Sequence, residues 1–149
     1  MNVNAVCNHN VATVHPSTGV VEAAKQMREA HVGDLIVVER RADRRVPVGI
    51  ITDRDITVAV VAKGVSPNEV TVADAMSTEL LTVHPDSGLG YALRDMRRAG
   101  VRRVPVVDAD NDLIGVLSVD DVLDHLAVQL EHIADIVRME QQAEVDRRP

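Results

Sequence analysis

Aromatic residues are nearly absent from the sequence, which has one Tyr and neither Phe nor Trp among 149 residues, against 28 Val. A chain with so few aromatic rings lacks the stacking platforms that bind single-stranded nucleic acid. It also cannot form an aromatic cage around a quaternary amine. Chains of this length bury roughly two-thirds of their unfolded surface. A hydrophobic core is therefore feasible, and we expect it to be built from Val, Ile, Leu, Ala and Met.

Positive charge is also scarce, because 16 Lys and Arg stand against 23 Asp and Glu, for a net charge of -7. Such a chain is repelled by phosphate backbones except at a local basic patch. Two short basic clusters exist, at residues 40–45 and 97–103. We interpret them as solvated loop or helix surfaces, which suffice for one small anion but not for a duplex.

Three further features are missing. The single cysteine excludes an intrachain disulfide. No uncharged run approaches the ~18–20 residues of a membrane span. Residues 1–6 carry neither the basic nor the apolar region of a secretory signal. We therefore expect a cytoplasmic protein that binds neither nucleic acid nor membranes.

The sequence contains two copies of one unit. The tetrapeptide Thr-Val-His-Pro at residues 13–16 recurs at residues 82–85. With this offset, residues 13–39 match residues 82–108 at 12 of 27 positions. The register then shifts by three residues, and Gly-Ile-Ile-Thr at 49–52 aligns with Gly-Val-Leu-Ser at 115–118. Repeats of this kind define the fold and indicate a duplication.

Hydrophobic periodicity predicts the order β-α-β-β-α in each copy, which is an α/β fold. The predicted helices cover residues 17–31, 53 to about 63, 86–99 with Asp86 as N-cap, and 119 onward. The predicted strands include residues 35–38, 48–51, 104–107 and 113–117. A Gly- and Pro-containing linker at 63–69 separates a first domain, residues 1–66, from a second, residues 67–149.

The last helix carries an apolar stripe with the alternating spacing of a heptad seam. Its members are Val119, Leu123, Leu126, Leu130, Ile133 and Val137. The stripe falls short of the 3–4 heptads that identify a coiled coil. Beyond Leu130, the helix either packs on its own domain or docks on a partner subunit. The polar residues 141–149 are expected to fray.

The second strand of each copy ends in a related motif, Thr52-Asp53-Arg54-Asp55 and Ser118-Val119-Asp120-Asp121. With this motif, the repeat and the element order, the chain resembles a pair of CBS (cystathionine-β-synthase) domains, or Bateman module, over residues 6–63 and 72–130. The resemblance implies two units related by a pseudo-twofold axis and packed sheet against sheet. It also implies a homodimer of two such modules.

The resemblance further implies ligand sites in the clefts between the units, for adenosine-containing molecules such as AMP, ADP, ATP, NAD or S-adenosylmethionine. Thr52, Asp55, Ser118 and Asp121 would bind the ribose. A carboxylate at a helix N-terminus can accept from both ribose hydroxyls, and free amides there suit a phosphate oxygen. The alternative is that the motif only caps the helix.

A basic pair in the second copy, Arg102 and Arg103, occupies the place where the family contributes phosphate-binding side chains. Guanidinium groups bind phosphate as charge-assisted forks, although these two are alternatively solvated turn residues. The first copy has Asp34 there, which would repel phosphate, and Arg54 in its motif would compensate. The two clefts are therefore expected to differ. Val32 and Val101 are expected to line the adenine slot.

The favoured function is a regulatory module that senses an adenine nucleotide as effector and acts on an unidentified partner protein. The alternative is a ligand-independent interaction scaffold that acts as a homodimer. The sequence has no nucleophile elbow, P-loop, dinucleotide fingerprint or metal triad, so we expect no enzyme and no catalytic residue. The spacings of Cys7, His9 and His15, and of His125 and His132, match no zinc pattern, so no metal or required cofactor is expected.

Overall fold

A computed structural model describes residues 1–148 of the chain. Pro149, the last residue of the stretch predicted to fray, lies outside the described residues. The first repeat contains β1 (Thr13–Val14), α1 (Val20–Ala30), β2 (Asp34–Arg41), β3 (Arg44–Thr52) and α2 (Asp53–Ile56), which continues into a π-helical turn (Thr57–Val61). The short helix α3 (Val72–Ala75) follows the linker, and the second repeat contains α4 (Leu89–Ala99), β4 (Arg103–Val107), β5 (Leu113–Ser118) and α5 (Val119–Arg147).

The strands form two sheets, one in each repeat. The first has the order β1-β2-β3, with β1 parallel and β3 antiparallel to β2. In the second, β4 and β5 are antiparallel, and Val83 forms an isolated parallel bridge to Val106 that corresponds to β1. Strands β3 and β5 contact each other across the two units. The predicted α/β repeat with two sheets facing each other is therefore confirmed.

The segment that opens each repeat packs on the opposite unit. Val3 is fully buried in the hydrophobic core of the second unit, and Val72 is fully buried in that of the first. We call residues 1–10 the opening arm and residues 70–77 the middle arm. The domain boundary between residues 66 and 67 stays a prediction, and the structure adds that each unit is completed by an arm from outside its own repeat.

Both arms are held by equivalent backbone hydrogen bonds. In the opening arm, Asn8 exchanges a pair of bonds with Val116, at 2.8 and 2.9 Å. In the middle arm, Ser77 exchanges the equivalent pair with Ile50, at 2.9 and 3.0 Å. This reciprocity relates the two units by a pseudo-twofold axis.

Helices α1 and α4 each begin three residues later than predicted, and Asp86 is not an N-cap. The N-caps are Gly19 and Gly88, which have no side chain to cap with. Asp86 lies in the preceding turn, where its backbone N–H donates to Nδ1 of His84 at 3.3 Å.

The arms supply the missing caps. The first amide of α1, from Val20, donates to the carbonyl of Val70 at 3.0 Å. The first amide of α4, from Leu89, donates to the carbonyl of Met1 at 3.1 Å. Because helix N-termini leave backbone donors without intrahelical partners, these contacts tie each helix start to the opposite arm.

The second helix of each repeat also departs from prediction. The helix predicted to reach about residue 63 has a single α-helical turn, α2, before the π-helical turn, and the chain turns away at Gly64 with φ +65°. In contrast, α5 continues to Arg147, so the prediction of fraying is wrong for residues 141–147. Side-chain pairs one turn apart support this end, including Gln142 donating to Asp146 at 3.1 Å.

Helix α5 packs on its own domain only near its start. Val122 is buried, whereas Leu130 is 67% exposed and Ile133 and Val137 are exposed as well. Packing of the distal helix on its own domain is therefore excluded. Despite the length of α5, no helix within residues 1–148 combines the length and apolarity needed to cross a bilayer.

Two glycines mark the places where the arms approach the sheets most closely. A Cβ at Gly49 would lie 2.7 Å from the carbonyl oxygen of Ser77 and 2.9 Å from Sδ of Met76. At the equivalent Gly115, a Cβ would lie 3.1 Å from the carbonyl oxygen of Asn8. Only glycine fits without a shift at the first position, because the nearest atom belongs to hydrogen-bonded backbone.

Gly49→Ala is accordingly expected to lower the free energy of unfolding by about 1–2 kcal/mol, since overpacking displaces the middle arm. Gly115→Ala should cost less. Gly90→Ala is the control, because Gly90 is helical and faces open space, and it should stabilise by about 0.5 kcal/mol. Urea denaturation of the three variants tests this order, and a loss in Gly115→Ala that equals that of Gly49→Ala would contradict it.

Candidate functional site

Two clefts lie between the units, and each draws on both. The Thr52 cleft, of about 650 Å³, is lined by Gly33, Asp34, Ile50, Thr52, Asp53, Arg54, Val101, Arg102, Arg103 and Asp120. The Ser118 cleft, of about 190 Å³, is lined by Asn8, Asn10, Val11, Ala12, Val32, Asp34, Ile36, Arg103, Val116, Ser118, Asp120 and Asp121. Each predicted motif therefore lies at its own cleft.

In the Thr52 cleft, the start of α2 forms a capping box. Oγ1 of Thr52 accepts the N–H of Asp55 at 3.0 Å, and the Asp55 carboxylate accepts the N–H of Thr52 at 2.9 Å. Asp53, rather than Asp55, is the motif carboxylate that lines this cavity. The geometry thus supports the capping role of Asp55, and its contact with a ribose stays a prediction.

In the Ser118 cleft, the equivalent motif at the start of α5 faces the cavity. Ser118 is buried; its Oγ accepts the N–H of Asp121 at 3.0 Å, and its hydroxyl donates to Oδ2 of Asp121. Both side chains line the cavity, together with the aliphatic Val32, Ile36 and Val116. This cleft therefore places a carboxylate and a hydroxyl beside an apolar wall.

The opening arm contributes two amide side chains to the Ser118 cleft. Asn8 and Asn10 line it, and Oδ1 of Asn8 accepts the N–H of Asn10 at 2.9 Å. Sequence reasoning missed both residues. The repeat aligns the arm with residues of its own copy, and nothing in that pattern shows that the arm crosses to the second unit.

A chain of charges forms the wall between the clefts. Arg103, from the second unit, is paired with Asp34 of the first and lies 3.8 Å from Asp120, which also lies 3.1 Å from Arg102. Asp34, Arg103 and Asp120 line both cavities. Burial raises the pKa of Asp34, with Arg103 acting to lower it and Asp53 adding to the rise. Asp34 binds a guanidinium across the units, and its expected repulsion of phosphate stays a prediction.

The three predicted phosphate-binding residues meet at one cleft, and their contact with a phosphate stays a prediction. Arg54, Arg102 and Arg103 all line the Thr52 cleft, and Arg103 alone among them also lines the Ser118 cleft. The valines predicted for an adenine slot are divided, with Val101 in the Thr52 cleft and Val32 in the Ser118 cleft. The two clefts are thus built alike but charged differently.

Cys7 and His9 lie next to each other in the opening arm, with Sγ of Cys7 3.8 Å from Nε2 of His9. Burial raises the pKa of the Cys7 thiol, and Nδ1 of His9 is 3.0 Å from the carbonyl oxygen of Ile114. Within residues 1–148, no three His, Cys, Asp or Glu side chains are grouped so that they could hold a metal ion.

Comparison with known proteins agrees with this architecture. A model of the CBS domain family matches residues 3–62 and 72–128. An uncharacterized protein of Methanopyrus kandleri is 37% identical over 123 residues, which cover 83% of this chain and 61% of that protein, so the chain spans less than two-thirds of this relative. The CBS domain-containing protein YhcV of Bacillus subtilis is 38% identical over 112 residues, covering 75% of this chain and 76% of YhcV.

Among solved structures, the CBS domain pair of protein MJ0100, in complex with 5′-methylthioadenosine and S-adenosylmethionine, superposes with a TM-score of 0.71. The alignment covers 87% of this chain and 98% of that one at 24% identity, so it bears on the fold alone. From the duplicated unit, the paired sheets and the match of the family model to both copies, it follows that the chain belongs to the CBS domain family, with two CBS domains in tandem.

Proposed function

We propose that this CBS pair is a regulatory module that binds an adenosine-containing small molecule in the clefts between its units. The observation that carries the proposal is the Ser118 cleft, where Asp121 and Ser118 face an aliphatic wall. A carboxylate at a helix N-terminus is held in place by the helix and can accept from ribose hydroxyls. Aliphatic side chains suit the faces of an adenine ring in a chain that has almost no aromatic residues.

The Thr52 cleft supports the same class of ligand in a phosphorylated form. Thr52 lines this cleft, and on this proposal it binds the ribose together with Asp55, while Arg54, Arg102 and Arg103 offer guanidinium groups for phosphate. AMP, ADP, ATP, NAD and S-adenosylmethionine are the candidate effectors. The MJ0100 pair shows that this fold can accommodate adenosyl compounds.

Regulation requires that the ligand prefer one arrangement of the two units over another. The Asp34–Arg103 pair crosses between the units and lines both clefts. A ligand that contacts either side chain would change the contact between the units. On this proposal the module is a cytoplasmic homodimer that passes the change to another protein and has no catalysis of its own.

Asp121→Asn is expected to weaken, by roughly 10–100-fold, whichever of these ligands binds in the Ser118 cleft, because it removes a charged hydrogen-bond acceptor. Isothermal titration of the wild type and the variant with AMP, ATP, NAD and S-adenosylmethionine identifies that ligand. Asp124→Asn is the matched control, since Asp124 is exposed one turn further along α5. Equal affinity in the two variants would contradict the site.

The exposed stripe on α5 favours a second candidate, a scaffold that works without a small ligand. Leu123, Leu126, Leu130, Ile133 and Val137 are all exposed in one chain, and contiguous apolar surface of this kind marks interaction sites. If none of the four compounds binds or raises the melting temperature, and sedimentation shows a stable homodimer, the scaffold function is supported instead.

A further inference from the structure

We propose that Asp34 makes the Ser118 cleft selective for uncharged or cationic adenosine compounds, so that phosphorylated ones bind in the Thr52 cleft. This inference rests on the proposed function, because it assigns a ligand class to each cleft. The proposed selectivity depends on the charge of the group at the 5′ position of the nucleoside.

The lining charges of the two clefts differ. Among residues 1–148, three carboxylates and one guanidinium line the Ser118 cleft, from Asp34, Asp120, Asp121 and Arg103. The Thr52 cleft is lined by three carboxylates and three guanidinium groups, from Asp34, Asp53, Asp120, Arg54, Arg102 and Arg103. A phosphate therefore meets an excess of negative charge in the first cleft and a balanced set in the second.

The guanidinium of the Ser118 cleft is also committed to other partners. Arg103 is paired with Asp34, whose side chain is only 12% exposed, and lies 3.8 Å from Asp120. A phosphate that drew Arg103 away from Asp34 would leave a largely buried carboxylate without its partner, which is strongly unfavourable. Asp34 thereby cancels the positive charge that the position of Arg103 would otherwise offer.

Two backbone donors at the start of α5 are already used within the protein. The N–H of Val119 donates to the carbonyl of Arg102 at 2.9 Å, and the N–H of Asp121 donates to Oγ of Ser118 at 3.0 Å. The amide side chains of Asn8 and Asn10 are neutral. A sulfonium or an uncharged thioether fits these surroundings, whereas a 5′-phosphate does not.

The Thr52 cleft has guanidinium groups that can exchange their present partners for a phosphate. The side chain of Arg102 is 77% exposed, and its partner Asp120 is also exposed. Such surface ion pairs contribute little, so a phosphate can replace Asp120 as the partner of Arg102. Arg54 lines the same cavity from the opposite unit.

The test compares 5′-methylthioadenosine and S-adenosylmethionine with AMP by isothermal titration. Asp121→Asn reports on the Ser118 cleft and Arg54→Ala on the Thr52 cleft. We expect Asp121→Asn to weaken the two unphosphorylated compounds at least tenfold and to leave AMP unchanged. Arg54→Ala should weaken AMP at least threefold and leave the other two unchanged.

Asp34→Asn, combined with Arg54→Ala, should strengthen AMP at least tenfold relative to Arg54→Ala alone. Because Asp34 lines both clefts, Asp121→Asn is added to this double variant and should remove the gain if it arises in the Ser118 cleft. Asp43→Asn is the matched control, because Asp43 is exposed and lines neither cleft. A second measurement leaves Asp34 unaltered: in the wild type, AMP should bind the Ser118 cleft more weakly than 5′-methylthioadenosine does.

Two results would overturn the inference while leaving the proposed function intact. In one, AMP binds the wild-type Ser118 cleft at least as tightly as 5′-methylthioadenosine, and Asp121→Asn abolishes it. In the other, Asp34→Asn leaves the preference between the two compounds unchanged. Absence of binding by all three compounds to the wild type would instead overturn the proposed function, and this inference with it.

Discussion

Val3→Asp is expected to unfold the second unit while the first stays folded. Val3 is fully buried in the core of the second unit, together with Val104 and Leu117. Burying a carboxylate there without a partner costs several kcal/mol, a large part of the roughly 5–15 kcal/mol that stabilises a typical domain. Hydrogen exchange should show loss of amide protection at residues 83–122 and retained protection at residues 14–60.

The pseudo-twofold axis provides the reciprocal experiment. Val72→Asp should affect the first unit, because Val72 is its buried arm residue. Asn4→Asp adds the same charge to the opening arm at an exposed position and should have little effect. Equal loss of protection in both units with Val3→Asp would show that the arm is not specific to the second unit.

Arg103→Ala is expected to lower the free energy of unfolding by about 2–4 kcal/mol, because it leaves Asp34 without its partner in a largely buried place. Asp34→Asn should cost less than about 1 kcal/mol, since Arg103 keeps Asp120 and contact with water. The double variant should recover most of the loss. Urea denaturation of the four proteins forms a double-mutant cycle.

The pH dependence of Arg103→Ala gives a second measurement. Burial raises the pKa of Asp34 in the folded protein, and Arg103 acts to lower it, so the variant should raise that pKa further. A carboxyl with a raised folded pKa binds its proton more tightly when folded than when unfolded. Its penalty is therefore full above the folded pKa and is relieved as the pH falls through it.

The stability deficit of Arg103→Ala should accordingly shrink as the pH is lowered from neutral toward the ordinary pKa of aspartate, about 3.9. The deficit should be nearly independent of pH in the double variant with Asp34→Asn. A deficit in Arg103→Ala that stays constant over this range would show that the loss comes from packing of the arginine side chain and not from Asp34.

The strands and the repeat could be predicted because their signals are local. The predicted strands at residues 35–38 and 104–107 fall within β2 and β4, where β-branched side chains such as Val37 and Val106 are fully buried. The starts of α1 and α4 were predicted wrongly because their caps are not local. The amide of Leu89 is satisfied by the carbonyl of Met1, and no pattern around residue 86 contains that information.

The candidate site likewise combines features that local sequence patterns predict with features that depend on contacts between distant residues. The two motifs and the basic pair located the clefts, since these residue types stand next to recognisable strands and helices. Which carboxylate of the first motif lines a cavity depends on the packing of the short helix α2, and there it is Asp53. The pairing of Asp34 with Arg103 joins two units, so the sequence indicated their charges but not their contact.

Because the arms cross, the two units differ in when a growing chain has all the residues of their cores. The core of the first unit uses residues 14–72, a continuous stretch. That of the second combines Val3 and Cys7 with residues 83–122. Contacts between residues distant in sequence close late, because a long loop loses more entropy on closure. During synthesis, the first unit can therefore fold early, whereas the opening arm cannot pack on the core of the second unit until almost the whole second repeat has been made.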